Sequence, residues 1–149
     1  MKASDLFVQC LETEGIEYIF GVPGEENAEF MLSLEKSDKI KFILCRHEQG
    51  AAFMAEIYGR LTGHTAGCLG TLGPGATNLI TGVADSNMDR APMLLLTVTA
   101  STERQHKDYH KILDLVHIFE PVTKWASTIL HQDNIPEIER TAVRLARTE

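Results

Sequence analysis

Short apolar runs, each separated by turn residues from a stretch of helical periodicity, constrain this chain more than any other feature. The runs fall at residues 18–20, 40–45, 66–71, 93–98 and 122–130. Between them Leu6, Phe7, Cys10 and Leu11 repeat at helical spacing, as do Ala55, Tyr58 and Leu61 and then Leu79, Ile80, Val83 and Ala84. Strands alternating with helices in this way predict an α/β fold: a doubly wound, mostly parallel sheet of about six strands, with helices on both faces and right-handed crossovers. The run Met93-Leu94-Leu95-Leu96-Thr97-Val98 is apolar almost throughout, as in a strand covered on both sides. The spacing predicts helices over residues 4–14, with Ser4 or Asp5 as N-cap and Gly15 as stop, and from about residue 27 to 34, with Phe30, Met31 and Leu34 inward. Further helices are predicted over 48–62, around Ile112, Leu115 and Phe119 up to Pro121, and over about 135–146 with Pro136 in the first turn. Residues 100–111 read as an exposed polar loop, and 122–130 as a strand around Trp125.

In a parallel sheet the carboxyl ends of the strands share one edge, and ligands bind in the crevice beyond it. Three loops arrive there. Gly21-Val22-Pro23-Gly24 follows the first run, Cys45-Arg46-His47-Glu48 the second, and Gly70-Thr71-Leu72-Gly73-Pro74-Gly75-Ala76-Thr77-Asn78 the third. Glu48 opens a helix, which a helix dipole favours with or without a function. The glycine-rich turn is no P-loop, because no Gly-Lys-Ser/Thr follows it. It matches the dinucleotide fingerprint only as Gly73-x-Gly75 and sits on the third strand instead of the first. A tight turn opening a helix, without a ligand, explains it equally well in isolation.

The remaining classes are narrowed by charge and spacing. A net charge of −7 disfavours nucleic acid and anionic membrane surfaces, which reward basic patches. No apolar run approaches the roughly 20 residues of a membrane span, and the N-terminus does not read as a signal peptide. Cys10, Cys45 and Cys68 form no Cys-x-x-Cys pair, so the odd count fits a reducing cytoplasm. His106, His110 and His117 lack an accompanying Cys or acid cluster in zinc-ligand spacing, so no metal site is expected. No Gly-x-Ser-x-Gly elbow supports a hydrolase triad.

Four blocks, taken together, are recognisable: Phe20-Gly21-Val22-Pro23-Gly24, Arg46-His47-Glu48-Gln49-Gly50-Ala51, Gly73-Pro74-Gly75-Ala76-Thr77-Asn78 and Thr123-Lys124-Trp125. Their order and spacing resemble the acetolactate synthase (acetohydroxyacid synthase) large-subunit family over essentially all 149 residues, and specifically its N-terminal, pyrimidine-binding domain. The resemblance implies one such domain over residues 1–149, cut from a longer thiamine diphosphate enzyme whose central and C-terminal domains lie elsewhere. The parent would condense two pyruvates to 2-acetolactate and CO2.

In that family Glu48 looks like the glutamate that hydrogen-bonds the cofactor's aminopyrimidine ring and so promotes the thiazolium ylid. A carboxylate in a dry cleft suits that proton exchange near neutral pH. By the same resemblance Val22, Pro23, Gly24, Thr71, Pro74 and Asn78 wall the pyrimidine. Glu25, His110 and Lys111 fall on the substrate side. Lys111 stands where relatives carry glutamine, and Glu25 where they carry glycine or another small residue, so both bear on donor and acceptor choice. The presence of Glu48 disfavours the branch of the superfamily that lacks this glutamate.

The family holds the diphosphate and Mg2+ through a Gly-Asp-Gly motif on its C-terminal domain, supplied by the partner subunit. No Gly-Asp-Gly occurs in this chain. A homodimer or tetramer is therefore implied, built through the helices after Glu48 and Asn78, with half a site per chain and no activity for the fragment alone. FAD stays open because its family contacts lie beyond residue 149, and His110 leans toward the flavin-independent, catabolic type. The alternatives are another thiamine diphosphate-dependent 2-oxo acid decarboxylase or carboligase, and a truncated, non-catalytic binding module.

Overall fold

The computed structural model describes residues 1–101 and 112–148. It consists of α1 (Ala3–Thr13), β1 (Tyr18–Gly21), a 3-10 turn (Glu25–Asn27), α2 (Ala28–Leu34), β2 (Lys41–Leu44), α3 (Glu48–Thr62) and β3 (Ala66–Leu69). Then follow α4 (Pro74–Thr77), α5 (Ile80–Met88), β4 (Met93–Leu96), α6 (Leu115–Phe119), two further 3-10 turns (Glu120–Val122 and Gln132–Asn134) and α7 (Ile135–Arg147). The strands form one parallel sheet in the order β2-β1-β3-β4, with Phe20 level with both Ile43 and Cys68, and Leu69 level with Leu96.

Side chains alternate across a strand, and the sheet uses that alternation to feed two cores. Phe20, Cys68, Ile43 and Leu95 face the layer of α3, α5 and α6. Ile19, Leu69, Phe42, Leu94 and Leu96 face α1, α2 and α7. The expected two-sided α/β architecture is thus present, with helices on both faces. Gly15 and Gly63 adopt positive φ (77° and 72°) immediately after α1 and α3, where a left-handed residue ends a helix without steric cost. The Cys68 thiol is fully buried, which pushes its pKa up to about 12, and all three cysteines are free. Among the described residues no helix is long and apolar enough to cross a membrane.

Two expectations need correction. The sheet has four strands among the described residues, not about six; residues 123–130, expected as one of the others, form no strand there. Trp125 and Leu130 are 38% and 66% exposed, and none of residues 123–130 is fully buried, so little burial fixes a register for the segment. Its anchor is instead Lys124, whose ammonium donates to the Leu145 carbonyl (3.2 Å) and the Thr148 carbonyl at the end of α7. Ser4 and Asp5 do not cap α1, which starts at Ala3 after Lys2. They lie in its first turn, where Ser33 Oγ donates to Asp5 Oδ1 (2.8 Å) and lies 2.9 Å from Ser4 Oγ, joining α2 to α1.

The segment from 123 to 129 and the free edge of β4 border a cleft of about 810 Å3, roofed by α7. Glu139 lines it from α7, 3% exposed, with neither carboxyl oxygen hydrogen-bonded among the described residues. Burial, with Glu14 nearby, pushes its pKa up to about 9.

Candidate active site

The three loops named from the sequence do converge. Beyond β1, the Val22 N–H donates to Leu69 O (3.3 Å), which carries the chain along the end of β3. The Gly24 N–H then donates to Asn27 Oδ1 (3.0 Å), closing the loop with a buried amide. Beyond β2, the Cys45 N–H donates to Gly21 O (2.8 Å), and His47 caps α3 by accepting from the Gln49 N–H at Nδ1 (3.1 Å). That cap starts the helix at Glu48 and turns its side chain inward: Glu48 is 9% exposed, whereas Arg46 and His47 lie at the surface. Beyond β3, the Gly70 N–H donates to Leu96 O (3.0 Å). Gly73 then takes a positive φ of 59°, which side chains resist, and Pro74 opens α4 with the fixed φ that a first helical turn accepts.

α4 lasts a single turn and delivers Asn78, whose Nδ2 donates to Glu48 Oε2 at 3.0 Å. Charge-assisted bonds of this kind are stronger than neutral ones. Gly75 lies against the other carboxylate oxygen. A Cβ there would collide with Thr71 Oγ1 and stand 3.3 Å from Glu48 Oε1. A Cβ on Gly24 would likewise collide with the Thr71 methyl. The Gly24 and Gly75 backbones therefore pack directly against Thr71, and Gly75 also lies against Glu48.

Of the residues named from the sequence, Glu48, Asn78, Thr71 and Gly24 come together, with Val22 half-buried beside them. Pro23 and Pro74 are exposed on the same loops. Glu25 is exposed in the 3-10 turn and forms no hydrogen bond or ion pair with Glu48 or Asn78. His110 and Lys111, with His106, lie outside the described residues. Sequence reading missed Asn27, the brace of the first loop. The signal was available: an Asn three residues after a Pro-Gly is a common side-chain closure for a turn.

A second acidic group lies apart from this edge. Glu56, Asp85 and Asp89 bring carboxylate oxygens within 4.8 Å of one another. Arg60 already occupies it, with Nη1 at 3.1 Å from Glu56 and 2.7 Å from Asp89.

Comparison with known proteins agrees with this geometry. The family described as thiamine pyrophosphate enzyme, N-terminal TPP binding domain, matches residues 1–118. A probable acetolactate synthase large subunit of Methanococcus aeolicus is 40% identical over 148 residues, 99% of this chain and 24% of the relative. An acetolactate synthase of Bacillus subtilis (strain 168) is 38% identical over 97% of this chain and 25% of its own length. A glyoxylate carboligase of Escherichia coli O157:H7 is 38% identical over 99% of this chain and 25% of its own length. The chain thus spans about a quarter of the curated relatives it matches. The family match over residues 1–118 and the convergence of Glu48, Asn78 and the glycine loops lead to one assignment: this chain belongs to the thiamine pyrophosphate enzymes, through their N-terminal cofactor-binding domain.

Proposed function

We propose that this chain is the pyrimidine-binding part of an acetolactate synthase-like enzyme that joins two pyruvates and one proton into 2-acetolactate and CO2. The observation that carries this reading is the buried Glu48 carboxyl group, held by Asn78 at the sheet edge where the Gly24 and Gly75 backbones close on Thr71. Such a site fits the pyrimidine half of thiamine diphosphate: a flat ring needs clear backbone on its faces and a carboxylate at its edge. When bound, the cofactor supplies the electron sink for the carbanion left by decarboxylation of a 2-oxo acid.

This chain's residues do the rest. Glu48 exchanges a proton with the ring edge, and the α3 N-terminus offsets its negative charge when it is ionised. Gly24 and Gly75 let Thr71 pack between their loops, which fixes the wall beside Glu48. Glu25, on the rim, with His110 and Lys111, would bear on which 2-oxo acids are accepted. Mg2+ and the diphosphate would be held by a domain that this sequence does not contain, in a homodimer or tetramer. Exposed apolar residues on the helices after Glu48 and Asn78 support that association: Met54 and Ile57 are each 46% exposed, Leu61 81% and Met88 73%.

The similarity to a glyoxylate carboligase supports a second reading, a carboligase using another 2-oxo acid. Supplying the complete protein with pyruvate alone separates the two: acetolactate forms under the first reading and does not under the second. Calorimetry of the 149-residue chain with thiamine diphosphate tests the half-site, which predicts weak binding. Tight binding would contradict it.

A further inference from the structure

The two oxygens of Glu48 are not equivalent. Oε2 accepts the Asn78 amide at 3.0 Å, whereas Oε1 faces the bare Cα of Gly75 and accepts no hydrogen bond among the described residues. The frame behind this difference is stiff. The Asn78 N–H donates to Pro74 O (2.9 Å), and α5, which continues from it, packs so tightly on α3 that a Cβ on Gly82 would come 2.6 Å from the Ala52 Cβ. Asn78 and Glu48 therefore cannot drift apart without separating those helices.

Resting on the reading of Glu48 as the proton-exchanging carboxylate, we propose that Asn78 is a positioning residue that reserves Oε1 for the proton. An amide N–H only donates, and it bonds a carboxylate or carbonyl oxygen better than a hydroxyl oxygen. A proton placed on Oε2 would require the Asn78 amide to turn over and accept it at Oδ1, whereas a proton placed on Oε1 leaves Oε2 as the carbonyl oxygen and keeps the bond as it stands. The proton thus enters and leaves at Oε1, the oxygen that no protein donor holds among the described residues. Asn78 acts through Glu48 and need not touch the cofactor.

The test uses the complete protein loaded with thiamine diphosphate, without substrate. Hydrogen–deuterium exchange at the thiazolium carbon is followed by NMR and the cofactor dissociation constant by calorimetry, for Asn78→Ala, Glu48→Gln and the double variant. Asn78→Ala should slow exchange by about tenfold or more, and by a clearly larger factor than it weakens cofactor binding. On the Glu48→Gln background the same change should alter exchange by less than about twofold, because its effect passes through Glu48.

Exchange in Asn78→Ala within about threefold of the parent would overturn the proposal, as would a full loss persisting on the Glu48→Gln background. Normal exchange in Glu48→Gln would instead sink the functional reading beneath it. Should Asn78→Ala fail to fold, Asn78→Leu fills the position without a donor or a charge and should show the same loss. In the 149-residue chain without cofactor, the Asn78 side-chain amide resonances should move on Glu48→Gln, and fixed resonances would remove the geometric basis.

Discussion

Replacing Glu139 with glutamine isolates what a buried, unpaired carboxyl group does to this fold. The group is 3% exposed, its oxygens have no partner among the described residues, and its pKa is pushed from 4.5 up to about 9. The folded chain therefore keeps a proton that the unfolded chain releases above pH 4.5. Stability should be greatest below that point and fall as pH rises, until the folded carboxyl also ionises near pH 9. One proton of difference gives a slope of about 1.4 kcal/mol per pH unit, hence about 3 kcal/mol between roughly pH 5.5 and 8. Glutamine does not titrate, so Glu139→Gln should gain on the parent by that slope, with the histidine contributions cancelling in the difference. Glu139→Leu should follow the same pH course and add about 1–3 kcal/mol by removing the buried polar atoms. Urea unfolding across that range measures both. Parallel pH curves for parent and glutamine variant would refute the assignment of a neutral, buried Glu139.

Gly75→Ala drives a methyl into Thr71 Oγ1 and against Glu48 Oε1, so thiamine diphosphate affinity of the complete protein should fall by about tenfold or more; unchanged affinity by calorimetry would place the ring elsewhere. Arg60→Met leaves the buried Glu56 facing Asp85 and Asp89 without its cation, and should destabilise by about 1–3 kcal/mol in chemical denaturation. Cys68, with its pKa pushed up to about 12, should resist an aromatic disulfide reagent at neutral pH until the chain unfolds, while Cys10 and Cys45, only partly buried, react first. Prompt reaction of all three thiols in the native state would contradict that packing.

The fold was legible where side-chain period and turn residues agree. The 93–98 run carried the signature of a strand covered on both faces, and β4 has that environment. Residues 122–130 have comparable β-forming composition, but a strand needs a partner, and pairing is a tertiary fact that composition does not encode. The N-cap of α1 was misassigned for a related reason: Ser4 and Asp5 satisfy a local rule, yet Ser33 of α2 claims them. Glu139 was within reach, since Ile135, Glu139 and Val143 recur every four residues on one buried stripe of α7. At the site, the sheet-edge rule brought the three loops together, whereas the Asn78–Glu48 bond spans 30 residues and depends on the short turn of α4. The exposure of Glu25 follows from the buried Asn27 brace, which the reading of motifs passed over.

The account rests on Glu48 as the residue that moves a proton. The most direct measurement is the initial rate of acetolactate formation from pyruvate by the complete protein and its Glu48→Gln variant at saturating thiamine diphosphate and Mg2+. Glutamine keeps the shape and cannot exchange the proton, so the rate should drop by well over tenfold, more than about 1.4 kcal/mol of barrier. A loss smaller than that, with the cofactor still bound, would contradict the role assigned to Glu48.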